Sequence, residues 1–271
     1  MERADAPHGP VTRPAGWLDR LSAAIQAPLP HHALSRVIYR LLRIEIPWLK
    51  NLQIATIARL YGVDWSEAAD PEPDVYPHFN AFFTRALKPG ARPVASGDGE
   101  VACPVDGVVS QAGKIESGRI FQAKGRSYTA AELLASEERA EPFADGSFAT
   151  LYLSPRDYHR IHMPLAGELV SMTHVPGRLF SVNPGTTRAV PRLFARNERV
   201  ACLFETEAGP MALVLVGAIF VAAIETVWAG LVTPPAGGVA VTRLYGEETG
   251  QVVRLDRGQE MGRFNMGSTV I

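Results

Sequence analysis

Gly267-Ser268-Thr269-Val270, one residue from the end of this 271-residue chain, can do chemistry that few peptide segments can. Glycine leaves its carbonyl unhindered, and the serine that follows carries a hydroxyl beside it. Attack of that hydroxyl on the glycine carbonyl turns the amide into an ester. Elimination and hydrolysis then leave a pyruvoyl ketone at a new N-terminus. Such a ketone condenses with a substrate amine as a Schiff base and takes up the electrons of a departing carboxylate, the part that pyridoxal phosphate plays elsewhere. By composition alone the tripeptide is a turn. The reaction further requires a base for the hydroxyl proton and a partner that holds the base in one tautomer.

Candidates for both stand upstream. Asp106 lies in Pro104-Val105-Asp106-Gly107, a sequence that also reads as an ordinary turn. His159 and His162 lie in Asp157-Tyr158-His159-Arg160-Ile161-His162-Met163-Pro164. Two histidines three apart are also a candidate metal pair, although Pro155 and Pro164 bracket them and no third ligand stands at a zinc-like spacing. One histidine, Asp106 and Ser268 would complete a serine-activating triad, and spacing does not say which histidine joins it.

The elements that position these residues fall into two textures. Short helices come first: Trp17 to Leu29, Ala33 to about Ile46, about Leu52 to Tyr61, and one that includes Phe79, Phe82 and Phe83. In the second, Leu34, Val37, Ile38, Leu41 and Leu42 recur at helical spacing, with Arg36, Arg40 and Arg43 on one flank. That pattern suits a surface helix packed on its own core, or an interfacial helix with arginines on anionic headgroups. Ala69 to Pro77 reads as a linker. After Pro89 short Val, Ile, Leu and Phe runs alternate with Gly, Pro, Asn and Asp, as in an antiparallel β body. One helix interrupts it, from about Thr129, with Glu132 at capping-box spacing, to about Arg139. The expected fold is α+β, amphipathic helices followed by a mostly antiparallel sandwich or barrel. Its parts are a leader over residues 1–14, a helical region over 15–70 and a β-rich catalytic domain over 71–271.

Composition narrows the classes. A formal net charge of -1 gives no argument for nucleic acid. Cys103 and Cys202 are too few for a disulfide framework and suit a reducing compartment. The N-terminal stretch lacks the apolar core of a signal peptide. The longest apolar run, Met211 to Ile224, is shorter than the roughly 20 residues that span a bilayer and reads as one or two buried strands.

Taken together, the segments resemble the bacterial pyruvoyl-dependent phosphatidylserine decarboxylases. The likeness rests on His159-Arg160-Ile161-His162-Met163-Pro164, on Phe194-Ala195-Arg196-Asn197-Glu198-Arg199, and on Met261-Gly262-Arg263-Phe264 leading into Gly267-Ser268-Thr269. It extends over most of the chain from about residue 30.

The resemblance implies cleavage between Gly267 and Ser268, with Ser268 becoming the covalent pyruvoyl cofactor and no metal. Asp106 and His162 match the charge relay that acts with the serine in maturation. His159 matches the histidine near the substrate, assigned to carboxylate handling or to protonating the carbanion. Decarboxylation of phosphatidylserine to phosphatidylethanolamine and carbon dioxide follows. Ser181 and Asn183, in Gly177-Arg178-Leu179-Phe180-Ser181-Val182-Asn183, are candidate donors to the lipid phosphodiester. The implied partners are phosphatidylserine in the membrane and an anionic lipid surface on its cytoplasmic face, with large and small subunits cut from one proenzyme and room for a homodimer. Members of this family continue beyond the motif. Here Ser268 to Ile271 remain, a fragment expected to make few contacts.

The alternatives are a decarboxylase of another serine-headgroup lipid, a soluble amino-acid decarboxylase, a non-catalytic membrane-binding β module, and a zinc hydrolase using His159 and His162.

Overall fold

The computed structural model describes residues 13–219, 223–233, 238–265 and 269–271. Residues 1–12 of the expected leader and the Gly267-Ser268 bond lie outside the described residues. Helices α1 (Trp17–Gln26), α2 (His31–Leu41), α3 (Pro47–Tyr61) and α4 (Phe79–Phe83) come first. Gly62 stops α3 in the left-handed conformation that glycine adopts without strain. Helix α2 is shorter than its apolar spacing predicts, because Leu42 caps it and the chain turns through Arg43 before Pro47 opens α3. The expected linker is largely exposed but locally ordered: Ala69 N–H donates to Ala86 O at 2.9 Å, and Pro73–Val75 forms a 3-10 turn. Ile54, Ala58, Val63, Phe79, Phe82 and Phe83 form a small helical core.

The β body comprises β1 (Val108–Lys114), β2 (Arg119–Ala123), β3 (Arg126–Thr129), β4 (Ser147–Tyr152), β5 (Arg160–His162), β6 (Gly167–Val175) and β7 (Arg199–Thr206). It continues with β8 (Gly209–Val216), β9 (Ile224–Thr226), β10 (Gly230–Leu231), β11 (Val241–Leu244), β12 (Arg254–Leu255), β13 (Glu260–Phe264) and β14 (Thr269–Val270). The large open sheet runs β1-β4-β14-β8-β7-β6-β11, with β12 also on β6, and a smaller one runs β10-β9-β13-β5. All registered pairs in both are antiparallel. The two sheets share one apolar core, in which Leu151, Leu215 and Val270 of the large sheet meet Ile161, Ile224, Met261 and Phe264 of the small one. This is the sandwich form of the expected β body.

The Met211–Ile224 run divides into the end of β8 and the start of β9, one in each sheet. The helix predicted from Thr129 also divides. Its capping box forms as read, with Glu132 N–H donating to Thr129 Oγ1 at 3.0 Å and Thr129 N–H donating to Glu132 Oε2 at 2.9 Å. Ala135 then takes φ +54, which separates α5 (Ala130–Leu134) from α6 (Glu137–Ala140).

The chain end differs most from expectation. Thr269 and Val270 are fully buried, and β14 is paired with Tyr152 and Leu151 of β4 on one side and with Val216 and Leu215 of β8 on the other. Ile271 exchanges two backbone bonds with Val214 at 2.7 and 3.0 Å. The tail is an interior strand of the large sheet.

Replacing Thr129 by Ala removes one side of its capping box and should lower unfolding free energy by about 1 kcal/mol in a urea titration. A change near zero would mean that the cap contributes nothing to α5.

Candidate active site

The route to the site starts at β5. His162 N–H donates to Pro104 O at 2.9 Å, and Ala102 N–H donates to Pro164 O at 3.0 Å. These bonds zip the Ala102–Pro104 segment along the histidine strand and bring Asp106 to the same cavity as His162. Gly107 follows with φ +147, and a Cβ there would sit 2.3 Å from Tyr152 O. Glycine is therefore required where β1 leaves the site to meet β4.

The cavity, of about 390 Å³, is lined by Arg92, Cys103, Asp106, Tyr158, His162 and Gly258 among others. Asp106 and His162 face it without a direct hydrogen bond, because each is engaged elsewhere. Arg92 grips the Asp106 carboxylate through Nε at 2.8 Å and Nη2 at 2.7 Å, and also reaches Glu67 at 2.8 Å. Those two acidic partners raise the guanidinium pKa above its ordinary value.

His162 Nδ1 lies 2.8 Å from Gly258 O, and a carbonyl can only accept, so Nδ1 carries the proton. Nε2 is then the basic nitrogen and accepts from the Tyr158 hydroxyl at 3.0 Å. Burial pushes the Tyr158 pKa up to about 12, which keeps that hydroxyl a donor.

His159 behaves differently. It is fully buried, and its ring stacks on Phe83 with centroids 4.0 Å apart. Among the described residues neither ring nitrogen has a partner at hydrogen-bond geometry, although the Ser154 and Pro155 carbonyls partly offset its burial. Burial first, and the nearby Arg85 charge second, lower its pKa to about 3. The ring is neutral in ordinary buffers. His159 and His162 thus point to different surroundings, and among the described residues no three His, Cys, Asp or Glu side chains converge in a way that could hold a metal ion.

Both histidines lie against β13. Glu260 is in register with His162, Arg263 with Arg160, and Phe264 N–H donates to His159 O at 3.1 Å. From Phe264 the chain needs only a few residues to reach Ser268. Ser181 and Asn183 sit apart from this cavity, in local structure: Asn183 Oδ1 caps α7 (Pro184–Ala189) by accepting from Thr186 N–H at 2.9 Å, and its Nδ2 donates to Ser181 Oγ at 2.8 Å. Ser181 N–H in turn donates to Gln26 Oε1 at 2.8 Å, which docks α1 there.

Helices α1 to α3 leave a broad apolar surface in solvent. Trp17 is 73% exposed, Trp48 68% and Leu60 69%, and Leu18, Leu21, Ile25, Val37, Leu41 and Leu52 are exposed with them. Arg20, Arg36, Arg40 and Arg59 are exposed on the same helices. Arg43, read with the basic flank, instead turns inward, 3.7 Å from Glu225 and stacked over Tyr39. Among the described residues no helix is long and apolar enough to cross a membrane.

Sequence reasoning missed Arg92, Tyr158 and Arg85. Tyr158 adjoins a histidine of the motif, which is a usable signal. Arg92 and Arg85 carry none, since only the fold brings them to the cavity and to His159.

Between pH 6.5 and pH 3 the unfolded chain takes a proton at His159 that the folded chain refuses. The stability tied to this group is therefore complete above 6.5 and declines as pH falls, by on the order of 1 kcal/mol per pH unit. Denaturant titrations should show that slope in the wild type and a flatter one in His159→Gln; equal slopes would count against a buried neutral ring.

A family profile described as phosphatidylserine decarboxylase matches residues 79–271, and one described as PSD matches residues 21–62. Phosphatidylserine decarboxylase proenzyme of Alkalilimnicola ehrlichii is 60% identical over 259 residues, covering 95% of this chain and 89% of that protein. The proenzyme of Stutzerimonas stutzeri is 58% identical over 254 residues, with 93% and 85% covered, and that of Bordetella pertussis 60% identical with the same coverage. The profile covers the β body, the site and the final strand, and the relatives cover more than nine-tenths of the chain, which belongs to the phosphatidylserine decarboxylase family of enzymes.

Proposed function

We propose that this chain is the proenzyme of a phosphatidylserine decarboxylase that cuts itself between Gly267 and Ser268 and acts at a membrane surface. The observation that carries the reading is the pairing of the histidine strand β5 with β13, the strand that leads to the cleavage segment. A pyruvoyl group made from Ser268 would supply the electron sink for loss of the substrate carboxylate. The residues at hand fit such a group. Among the described residues the ring nitrogens of His159, whose carbonyl holds the end of β13, and the Oγ1 of Thr269 at the start of β14 are buried polar atoms without a partner, and such atoms call for one.

In maturation His162 takes the Ser268 hydroxyl proton at Nε2. Gly258 O fixes the tautomer that makes this nitrogen basic, and Tyr158 yields its place on it. The Asp106 carboxylate, held by Arg92, lines the same cavity and is the proposed carboxylate member of the relay. These residues act once per molecule. In turnover His159, kept neutral by burial, offers one N–H and one lone pair without a positive charge. The neutral ring adds no charge of its own to stabilise the ground-state carboxylate.

Ser181 and Asn183 are retained as proposed contacts of the lipid phosphodiester. The exposed apolar residues of α1 to α3 would enter the acyl boundary, with Arg20, Arg36, Arg40 and Arg59 beside anionic headgroups. Phosphatidylserine in the cytoplasmic leaflet is the proposed substrate.

The deciding experiment is the intact mass of the purified protein under denaturing conditions, with and without Ser268→Ala. The wild type should lose the mass of residues 268–271 and the variant should not; two full-length masses would remove the self-cleavage reading. A second expectation concerns the surface. The double variant Trp17→Ser, Trp48→Ser should float with phosphatidylserine-containing vesicles at least several-fold less than the wild type, and undiminished flotation would remove the interfacial role of α1 and α3.

A further inference from the structure

Asn265 stands three residues before Ser268 and is 3% exposed. Its Oδ1 accepts from Asn80 Nδ2 of α4 at 2.8 Å, and its Nδ2 donates to Glu225 Oε1 of β9 at 2.7 Å. Its backbone N–H donates to Ala223 O at 2.9 Å. The second oxygen of Glu225 accepts from Arg263 Nε at 2.7 Å, and Arg43 lies 3.7 Å from the first. Asn80, itself 4% exposed, ties back through its N–H to Leu42 O at 3.0 Å, just beyond α2. Strands β9 and β13, helix α4 and the end of α2 thus meet at one side chain.

A buried polar cluster of this kind adds little stability over well-packed apolar residues of the same size. What it adds is direction, since each amide has a single arrangement that satisfies its neighbours. None of the members is suited to take the serine proton. Asn80 and Asn265 do not titrate. Burial of Glu225 raises its pKa, but the hydrogen bonds from Asn265 and Arg263 outweigh that and hold it below the usual carboxylate range.

Position is what the proposed cleavage demands most. The attacking oxygen must come within about 3–3.5 Å of the carbonyl carbon, and an error of ~1 Å can cost roughly a hundredfold in rate. Downstream of the bond, β14 is locked between β4 and β8. Upstream, the end of β13 depends on Phe264 N–H to His159 O, Asn265 N–H to Ala223 O, and the Asn265 side chain.

We propose that Asn265, with Asn80 and Glu225, is a positioning device for self-cleavage that fixes the upstream end of the scissile segment against β14. It rests on the self-cleavage reading above. Through Leu42 and Arg43 the same device ties the segment to the helices proposed to meet the lipid.

The test is the rate at which freshly made full-length chain disappears, followed by intact mass, with the thermal midpoint measured beside it. Asn265→Ala should cut at least tenfold more slowly than the wild type. Glu225→Gln, which keeps an acceptor for Asn265, should stay within about threefold of the wild type, whereas Glu225→Ala should match the slow class; this pair decides the matter if Asn265→Ala fails to fold. Asn265→Asp sets a carboxylate against Glu225. Its rate relative to wild type should therefore rise as pH falls from 8 to 5.5, because protonation restores the shared hydrogen bond. Rates that follow only the thermal midpoint, or wild-type rates in every variant, would overturn the positioning role while leaving self-cleavage intact. A wild type that never cuts would overturn both.

Discussion

The rest of the molecule depends on how one short stretch joins two sheets. Strand β13 belongs to the small sheet and β14 to the large one, and Asn265 and Thr269, the described residues on either side of 266–268, are both buried. Each end is held by its own partners: β14 by ladders on both sides, and β13 by β9 and β5. Under the proposed reading these two anchorages matter, because a backbone bond is attacked efficiently only when the neighbouring hydroxyl is kept close to it.

Two histidines three residues apart acquire opposite characters from this arrangement. His162 faces a cavity and is bound on both nitrogens, so its tautomer is set by a carbonyl and its basic atom is covered by a phenol. His159 is fully buried, stacked on Phe83, and stays neutral. The difference comes from burial and from partners, not from residue type.

Helices α1 and α2 are docked on the β body through polar contacts. Arg188 pairs with Asp19 through two bonds of 2.9 Å, and Gln26 and His31 bond to the segment around Leu179 and Ser181. The large apolar residues of α1 face outward, whereas α3 buries Ile54 and Ala58 in the helical core and exposes Trp48, Leu52 and Leu60.

The sequence by itself determined the order of elements, the antiparallel β body and the capping box at Thr129, and its resemblance to a family put forward Asp106, His159, His162 and Ser268 as the chemical candidates. The first three features are local: periodicity and turn residues act over a few positions. It did not determine that Arg43 turns inward, that Asp106 is clasped by Arg92, that Asn80 meets Asn265, or that the last residues form an interior strand. Each of those joins residues far apart in the chain, 185 positions in the case of Asn80 and Asn265. Only the packing of the sheets and helices brings such groups within hydrogen-bond range, and so only the tertiary structure decided them.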